Sequence, residues 1–206
     1  MKIAPLYHAL LKENWANPII IHTGQHYDLN MSDVFLRDLC LPKPHIHLNI
    51  GSGTHAEQTG KVLVAYEKVL LENSPDLVVV VGDVNSTMAA TLAAVKLKIK
   101  VAHLEAGLRS FDRTMPEEIN RIVTDALSDL LWTPSSDGNT NLLKEGIPPF
   151  KIQMVGNIMI DSLEMLRSKI EVDNTFEKFK LPYSGYGLVT LHRPANVDNS
   201  NFLREI

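Results

Sequence analysis

The sequence predicts an α/β protein built on a doubly wound parallel sheet. Short apolar runs alternate with helical patterns along most of its 206 residues, and such alternation is typical of right-handed crossovers between parallel strands. The run 77–81 is apolar at every position, as in strands that are covered on both faces. In the first helical segment, Ile3, Leu6 and Leu10 fall on one helix face.

The individual elements follow from apolar runs and from the turn residues between them. Strands are expected at residues 18–22, 45–49, 77–82, 100–105, 129–133, 151–156 and 186–192. Helices are expected at residues 2–14, 32–40, 55–72, 85–97, 116–128, 138–146 and 159–169. No strand precedes the first helix, although a doubly wound unit normally begins with one.

This order of elements predicts one domain and the beginning of another. Residues 1–170 are expected to form a Rossmann-like domain whose first strand is absent. Residues 171–185 are polar and turn-rich, which is typical of a linker. The apolar run that follows predicts the start of a second, truncated domain over residues 186–206.

Composition argues against several classes of function. The net charge of −4 disfavours a nucleic-acid partner, and no apolar run approaches the ~20 residues of a membrane helix. The single cysteine, Cys40, suits a reducing compartment, so we expect a cytoplasmic protein. The histidines lack metal-ligand spacing, and the glycine-rich signatures of nucleotide cofactors are missing. Neither a metal nor a cofactor is expected.

Functional side chains follow the first strands of the predicted sheet. Open parallel sheets bind ligands beyond the carboxyl ends of their strands. Gln25 and His26 come after a strand and a glycine turn, and they either contact a ligand or form a surface turn. Asp83 follows the buried run 77–81, and it either serves a ligand or, with Asn85, caps the next helix.

The fourth strand is followed by Glu105 and, four residues later, by Arg109. A glutamate at the exit of an apolar strand is costly unless it is paired or partly hydrated. Arg109 therefore either neutralises Glu105 or binds a phosphate group.

The helix beginning near residue 116 carries two more candidates. Thr114 and Glu117 match a capping box, and Glu117 and Arg121 are i, i+4 neighbours. The helix dipole also keeps a glutamate at this position ionised, as a general base requires. His192 and Arg193 end the last expected strand, where they either contact phosphate or are simply solvated.

Several segments, in order and at matching spacing, resemble the non-hydrolysing UDP-N-acetylglucosamine 2-epimerases. They are KIAPL at 2–6, TGQH at 23–26, GD at 82–83, HLEAGLR at 103–109, PEEINR at 116–121, GN at 156–157 with ID at 160–161, and VTLHR at 189–193. The resemblance implies the N-terminal half of a two-domain fold of the glycosyltransferase-B type, with a nucleotide-sugar in the interdomain cleft.

The resemblance also implies an activity and a site. The family interconverts UDP-N-acetylglucosamine and UDP-N-acetylmannosamine by eliminating UDP to give 2-acetamidoglucal and adding UDP back. Carried over to this chain, the catalytic set is Asp83, Glu105, Glu117 and His192, and Arg121 is a substrate contact. Homodimers are common in this family.

Departures from the family pattern keep alternatives open. Val84 stands where the family usually has threonine, and residues 194–196 replace the commoner arginine–glutamate pair. This favours a variant substrate as one alternative, such as a UDP-2,3-diacetamido uronic acid. A hydrolase or glycosyltransferase of the same fold and a non-catalytic nucleotide-binding module are the others. Because most of the expected UDP-binding domain is missing, the 206-residue chain should turn over slowly or not at all.

Overall fold

The strands form two parallel sheets in the computed structural model, which describes residues 1–24, 34, 36–182, 185–191 and 197–205. The strands are β1 (Ile21–His22), β2 (Ile46–His47), β3 (Leu77–Val81), β4 (Lys100–Leu104), β5 (Leu130–Thr133) and β6 (Ile152–Met154). β1 pairs with β2, and β3, β4, β5 and β6 form a four-stranded sheet in that order. All pairs are parallel, which confirms the expected α/β class.

Helices connect and flank these strands. Over the described residues they are α1 (Ile3–Leu10), α2 (His55–Asn73), α3 (Asn85–Lys96), α4 (Pro116–Leu127), α5 (Ser136–Lys144), α6 (Ile158–Val172), α7 (Thr175–Lys178) and α8 (Ser200–Glu205), with a 3-10 turn at Pro149–Lys151. No helix within those ranges is long and apolar enough to cross a membrane.

The strand predicted at 186–192 is wrong over the described residues 186–191, which have no strand pairing. Leu188 and Val189 are 87% and 75% exposed. An apolar run adopts a sheet only when neighbouring strands supply hydrogen bonds and cover its faces, and these residues have neither. The chain divides into two compact units, Met1–Arg167 and Ser168–Ile206.

The main core lies between α2, α3 and the strands β3 and β4. Val62 and Leu70 of α2 belong to one buried cluster with Val78 and Val80 of β3. Four alanines of α3 complete it, namely Ala89, Ala90, Ala93 and Ala94. Small side chains let two helices approach closely, so α3 is held firmly against both α2 and the sheet.

The carboxyl ends of β3, β4 and β5 lie side by side. Val81 pairs with Leu104, and Leu104 pairs with Trp132. Each of the first two strands then turns sharply, with Gly82 at φ +71° and Glu105 at φ +78°. The residues that follow β3 and β4 therefore lie at one edge of the sheet.

Tyr66 of α2 should make stability depend on alkaline pH. It is 8% exposed, and burial raises the pKa of its phenol from 10.0 to about 12. Between these values the folded chain keeps the proton and the unfolded chain loses it. The free energy of unfolding therefore falls by about 2–3 kcal/mol as the pH rises from about 10 to about 12.

Urea unfolding over a pH series, compared with Tyr66→Phe, measures this contribution. The phenylalanine variant lacks the phenol and should show a correspondingly weaker decline in that pH range. The same pH dependence in both proteins would refute the assignment.

Candidate active site

Arg121 of α4 brings together the two turns that follow β3 and β4. Its Nη2 donates to Asp83 Oδ2 at 2.5 Å, and its Nη1 donates to the backbone carbonyl of Glu105. The Arg121 side chain is 7% exposed, whereas that of Asp83 is 31% exposed. Asp83, Glu105 and Arg121 therefore lie together at the edge where the sequence placed them, and Asp83 remains open to solvent.

Lys2 joins this cluster, although the sequence analysis gave it no role. Its ammonium group donates to the Glu105 carboxylate, and the Glu105 side chain is 14% exposed. A Cβ built on Gly82 would lie 3.4 Å from Lys2 Nζ and 3.6 Å from Glu105 Oε2. Both are ordinary contact distances, so the positive φ of +71°, not a lack of space, favours glycine at this position. The only signal for Lys2 in the sequence was its place in the KIAPL segment.

The backbone at Asp83 is fixed by buried amide side chains. Asn120 Nδ2 donates to the Asp83 carbonyl at 2.9 Å and to Asn85 Oδ1 at 3.2 Å. The N-cap of α3 is Val84, and no side chain caps it. The alternative in which Asp83 and Asn85 cap this helix is therefore wrong, because their side chains are engaged elsewhere.

Glu117 lies exposed in the first turn of α4. The capping box expected with Thr114 is wrong, because the N-cap is Met115 and the Thr114 hydroxyl donates to Asp112 at 2.6 Å. The next residue, Glu118, is 5% exposed and accepts the Ser110 N–H at 2.8 Å. The adjacent glutamates thus differ: Glu118 anchors a loop, whereas Glu117 faces solvent at the positive end of a helix.

Arg109 does not pair with Glu105, so that alternative is wrong. Its guanidinium is 1% exposed and lies 2.7 Å from both Asp125 Oδ2 and Glu145 Oε2. Burial alone would lower the pKa of Arg109, but the hydrogen bonds and charges of Glu145 and Asp125 raise it. The substrate contact expected of Arg109 stays a prediction, and its observed partners are structural.

Asp125 and His103 form a buried pair directly behind the cluster, and the sequence analysis assigned a role to neither. Asp125 Oδ1 lies 2.6 Å from His103 Nδ1, and both side chains are 0% exposed. A histidine inside an apolar strand and an aspartate on the buried face of a helix could have been noticed. Such groups are costly unless they are paired.

Within the part of the chain that the structure describes, no group of three or more metal-binding side chains comes together. The cluster offers acid–base and electrostatic chemistry instead. The Asp83 carboxylate is partly open, the Glu105 carboxylate lies beside Lys2, and Arg121 contacts both turns. Such groups can accept a proton and stabilise a developing cation.

Comparison with known proteins identifies the family to which this site belongs. A family model described as UDP-N-acetylglucosamine 2-epimerase matches residues 8–206. The chain belongs to the UDP-N-acetylglucosamine 2-epimerase family. This confirms the resemblance found in the sequence.

Individual epimerases of this family match the chain closely. UDP-N-acetylglucosamine 2-epimerase of Methanocaldococcus jannaschii is 51% identical over 100% of this chain and 57% of its own length. UDP-2,3-diacetamido-2,3-dideoxy-D-glucuronate 2-epimerase of Pseudomonas aeruginosa is 43% identical over 97% of this chain and 56% of its own length. The chain therefore spans about half the length of these relatives.

Solved epimerase structures share the fold. The Methanocaldococcus jannaschii enzyme in complex with UDP-GlcNAc and UDP superposes with a TM-score of 0.90 at 50% identity, covering 98% of this chain and 56% of that one. The Neisseria meningitidis enzyme bound to UDP-GlcNAc gives 0.79 at 36% identity, over 86% of this chain and 48% of that one. These similarities confirm the glycosyltransferase-B-type half-fold expected for the epimerase family.

Four of the residues expected in the site fall outside the part of the chain that the structure describes. They are Gln25, His26, His192 and Arg193. Their roles stay predictions.

Proposed function

We propose that this chain carries the acid–base half of a non-hydrolysing UDP-N-acetylglucosamine 2-epimerase, an isomerase that interconverts UDP-N-acetylglucosamine and UDP-N-acetylmannosamine. The observation that carries this proposal is the contact of Arg121 with both Asp83 and the Glu105 turn. This contact brings together the two turns that carry Asp83 and Glu105, beyond the carboxyl ends of β3 and β4. The Methanocaldococcus jannaschii relative, which is 51% identical, is named UDP-N-acetylglucosamine 2-epimerase.

The reaction needs such groups because the proton at C2 is not flanked by a carbonyl. When the C1–O bond breaks, UDP departs with the bonding electrons and C1 becomes oxocarbenium-like, which acidifies C2. A carboxylate then accepts the C2 proton and the C1=C2 bond of 2-acetamidoglucal forms. In the return step, C2 is protonated on the opposite face and UDP adds back to C1. Inversion at C2 therefore uses more than one acid–base group.

In this scheme Asp83, Glu105, Glu117 and His192 form the catalytic set, and Glu117 is one of the bases. Its exposure at the first turn of α4 supports that role. Further substrate contacts are proposed for Arg121, Gln25, His26, Arg109 and Arg193. The proposed enzyme is a cytoplasmic homodimer that uses no cofactor. Residues 186–206 are proposed to begin the second, UDP-binding domain.

Deuterium exchange tests the proposal. A form that spans the full length of the relatives is incubated with UDP-N-acetylglucosamine in deuterated water. We expect deuterium at C2 together with UDP-N-acetylmannosamine, and we expect Glu117→Gln to abolish both. Absence of exchange, or release of free sugar and UDP, would reject the proposal in favour of a binding module or a hydrolase.

The same assay is repeated with UDP-2,3-diacetamido-2,3-dideoxy-D-glucuronate. The Pseudomonas aeruginosa relative, which is 43% identical, is named for this substrate. A higher kcat/KM for that uronic acid would reassign the substrate and leave the chemistry unchanged. The 206-residue chain by itself is expected to be weakly active or inactive.

A further inference from the structure

The buried pair Asp125–His103 touches both turns of the candidate site from behind. His103 Nε2 lies 2.8 Å from the carbonyl oxygen of Gly82, the residue before Asp83. Asp125 Oδ2 accepts the Gly107 N–H at 3.0 Å, two residues after Glu105. The pair therefore links the turn that carries Asp83 to the turn that carries Glu105.

The backbone carbonyl at one end of this link determines which nitrogen of His103 donates a hydrogen bond. A backbone carbonyl can only accept, so Nε2 of His103 must carry a hydrogen and donate it to Gly82. The carboxylate of Asp125 lies 2.6 Å from the other ring nitrogen, Nδ1, and this contact orients the ring. A histidine held by a carboxylate on one nitrogen has a fixed ring plane and a fixed donor direction.

Both turns adopt left-handed backbone conformations, which glycine takes without strain but Glu105 does not. Gly82, Glu105 and Gly107 have φ of +71°, +78° and +80°. For Glu105, a residue with a Cβ, this region costs roughly 1 kcal/mol or more. Backbone of this kind persists only where its surroundings hold it.

We propose that Asp125 and His103 are positioning residues for the proposed epimerase. Asp125 orients His103, and His103 holds the Gly82 carbonyl so that the carboxylate of Asp83 keeps its place relative to Glu105. Neither residue has to touch the substrate, because both act through the turns. This inference rests on the proposed function, since it assigns its effect to the catalytic step.

Two substitutions of His103 separate positioning from simple burial. The side-chain nitrogen of glutamine reaches about as far as Nε2 and can still donate to the Gly82 carbonyl. The shorter asparagine places its nitrogen near Nδ1, so it can bond Asp125 but cannot reach Gly82. Both variants remove the ring and leave a buried amide, so each is the matched control of the other.

We measure kcat, KM and melting temperature for the full-length form. His103→Asn should lower kcat by roughly 10–100-fold with KM changed less than about twofold, because a misplacement of about 1 Å can cost that much. His103→Gln should keep kcat within about threefold of wild type. Equal kcat losses in both variants, or wild-type kcat in folded His103→Asn, would overturn the proposal. If His103→Asn does not fold, a kcat loss above tenfold in folded His103→Gln overturns it alone.

Amide hydrogen exchange in the same full-length form separates this inference from the proposed function. His103→Asn should speed exchange at the Gly82 and Asp83 amides, whereas His103→Gln should retain their protection. If wild type shows no epimerase activity, the proposed function fails, and the exchange rates still decide whether His103 holds this turn. Unchanged exchange in both variants would show that it does not.

Discussion

Asp83→Asn should lower the kcat of the proposed epimerase, in the form that spans the length of its relatives, by at least about 10³-fold, whether epimerisation or deuterium exchange at C2 is measured. The asparagine side chain keeps the shape of the aspartate and can still accept a hydrogen bond from Arg121, which lies 2.5 Å from Asp83 Oδ2. It loses the negative charge that stabilises a developing cation or accepts a proton. The Asp83 side chain is 31% exposed, so we expect the melting temperature to stay within about 3 °C.

Asp112→Asn provides the matched control for this result. Asp112 is exposed in the loop that follows Glu105, and it accepts hydrogen bonds from the hydroxyl and backbone N–H of Thr114. Its substitution removes the same charge from an exposed loop position and should leave kcat unchanged. Wild-type activity in Asp83→Asn would mean that this carboxylate only neutralises Arg121.

Gly107→Ala should have the largest effect on stability. Gly107 has φ +80°, and a Cβ there would lie 2.4 Å from the carbonyl oxygen of Gly138 and 2.8 Å from its carbonyl carbon. These are backbone atoms of α5, so the whole helix would have to move. The overpacking and the left-handed strain together should lower the free energy of unfolding by about 3–5 kcal/mol. This corresponds to roughly 10 °C in melting temperature.

Gly146→Ala isolates the strain from the clash. Gly146 has nearly the same backbone angle, φ +83°, but a Cβ there would meet no atom within 4 Å. Gly146→Ala should lower the free energy of unfolding by only about 1–2 kcal/mol. Chemical denaturation of both variants gives the difference directly. Similar losses at the two positions would show that α5 adjusts to the added methyl group and that the close approach carries little energy.

The order of the apolar runs along the chain was enough to predict that Asp83 and Glu105 lie at one edge of the sheet. The apolar run before Asp83 and the one before Glu105 became parallel neighbours, so the residues after them had to meet at one edge of the sheet. Arg121 was assigned from the family segment, and it contacts both turns. This much follows from local patterns, because parallel pairing aligns strand ends.

Pairing between side chains was less predictable. The expected Glu105–Arg109 pair rested on their closeness in sequence, but a turn at residues 105–107 lies between them. Arg109 instead contacts Asp125 and Glu145, which are distant in sequence. Such partners depend on tertiary packing, and no spacing rule identifies them.

The capping box illustrates a similar ambiguity. Thr114–Glu117 and Thr54–Glu57 both match the pattern, and only the second forms. Pro116 explains the difference, because proline favours the first helical position and so makes Met115 the N-cap. Here a neighbouring residue decides which of two equivalent patterns is used.

A single helix, α4, supplies several of the groups that connect the two turns of the site. Glu117, Arg121 and Asp125 recur at intervals of four residues along one face, and Asn120 directly precedes Arg121. Inserting or deleting one residue within α4 would rotate the groups beyond it by about 100°, separating Glu117 from the others. Length changes should therefore be rejected within α4 during evolution.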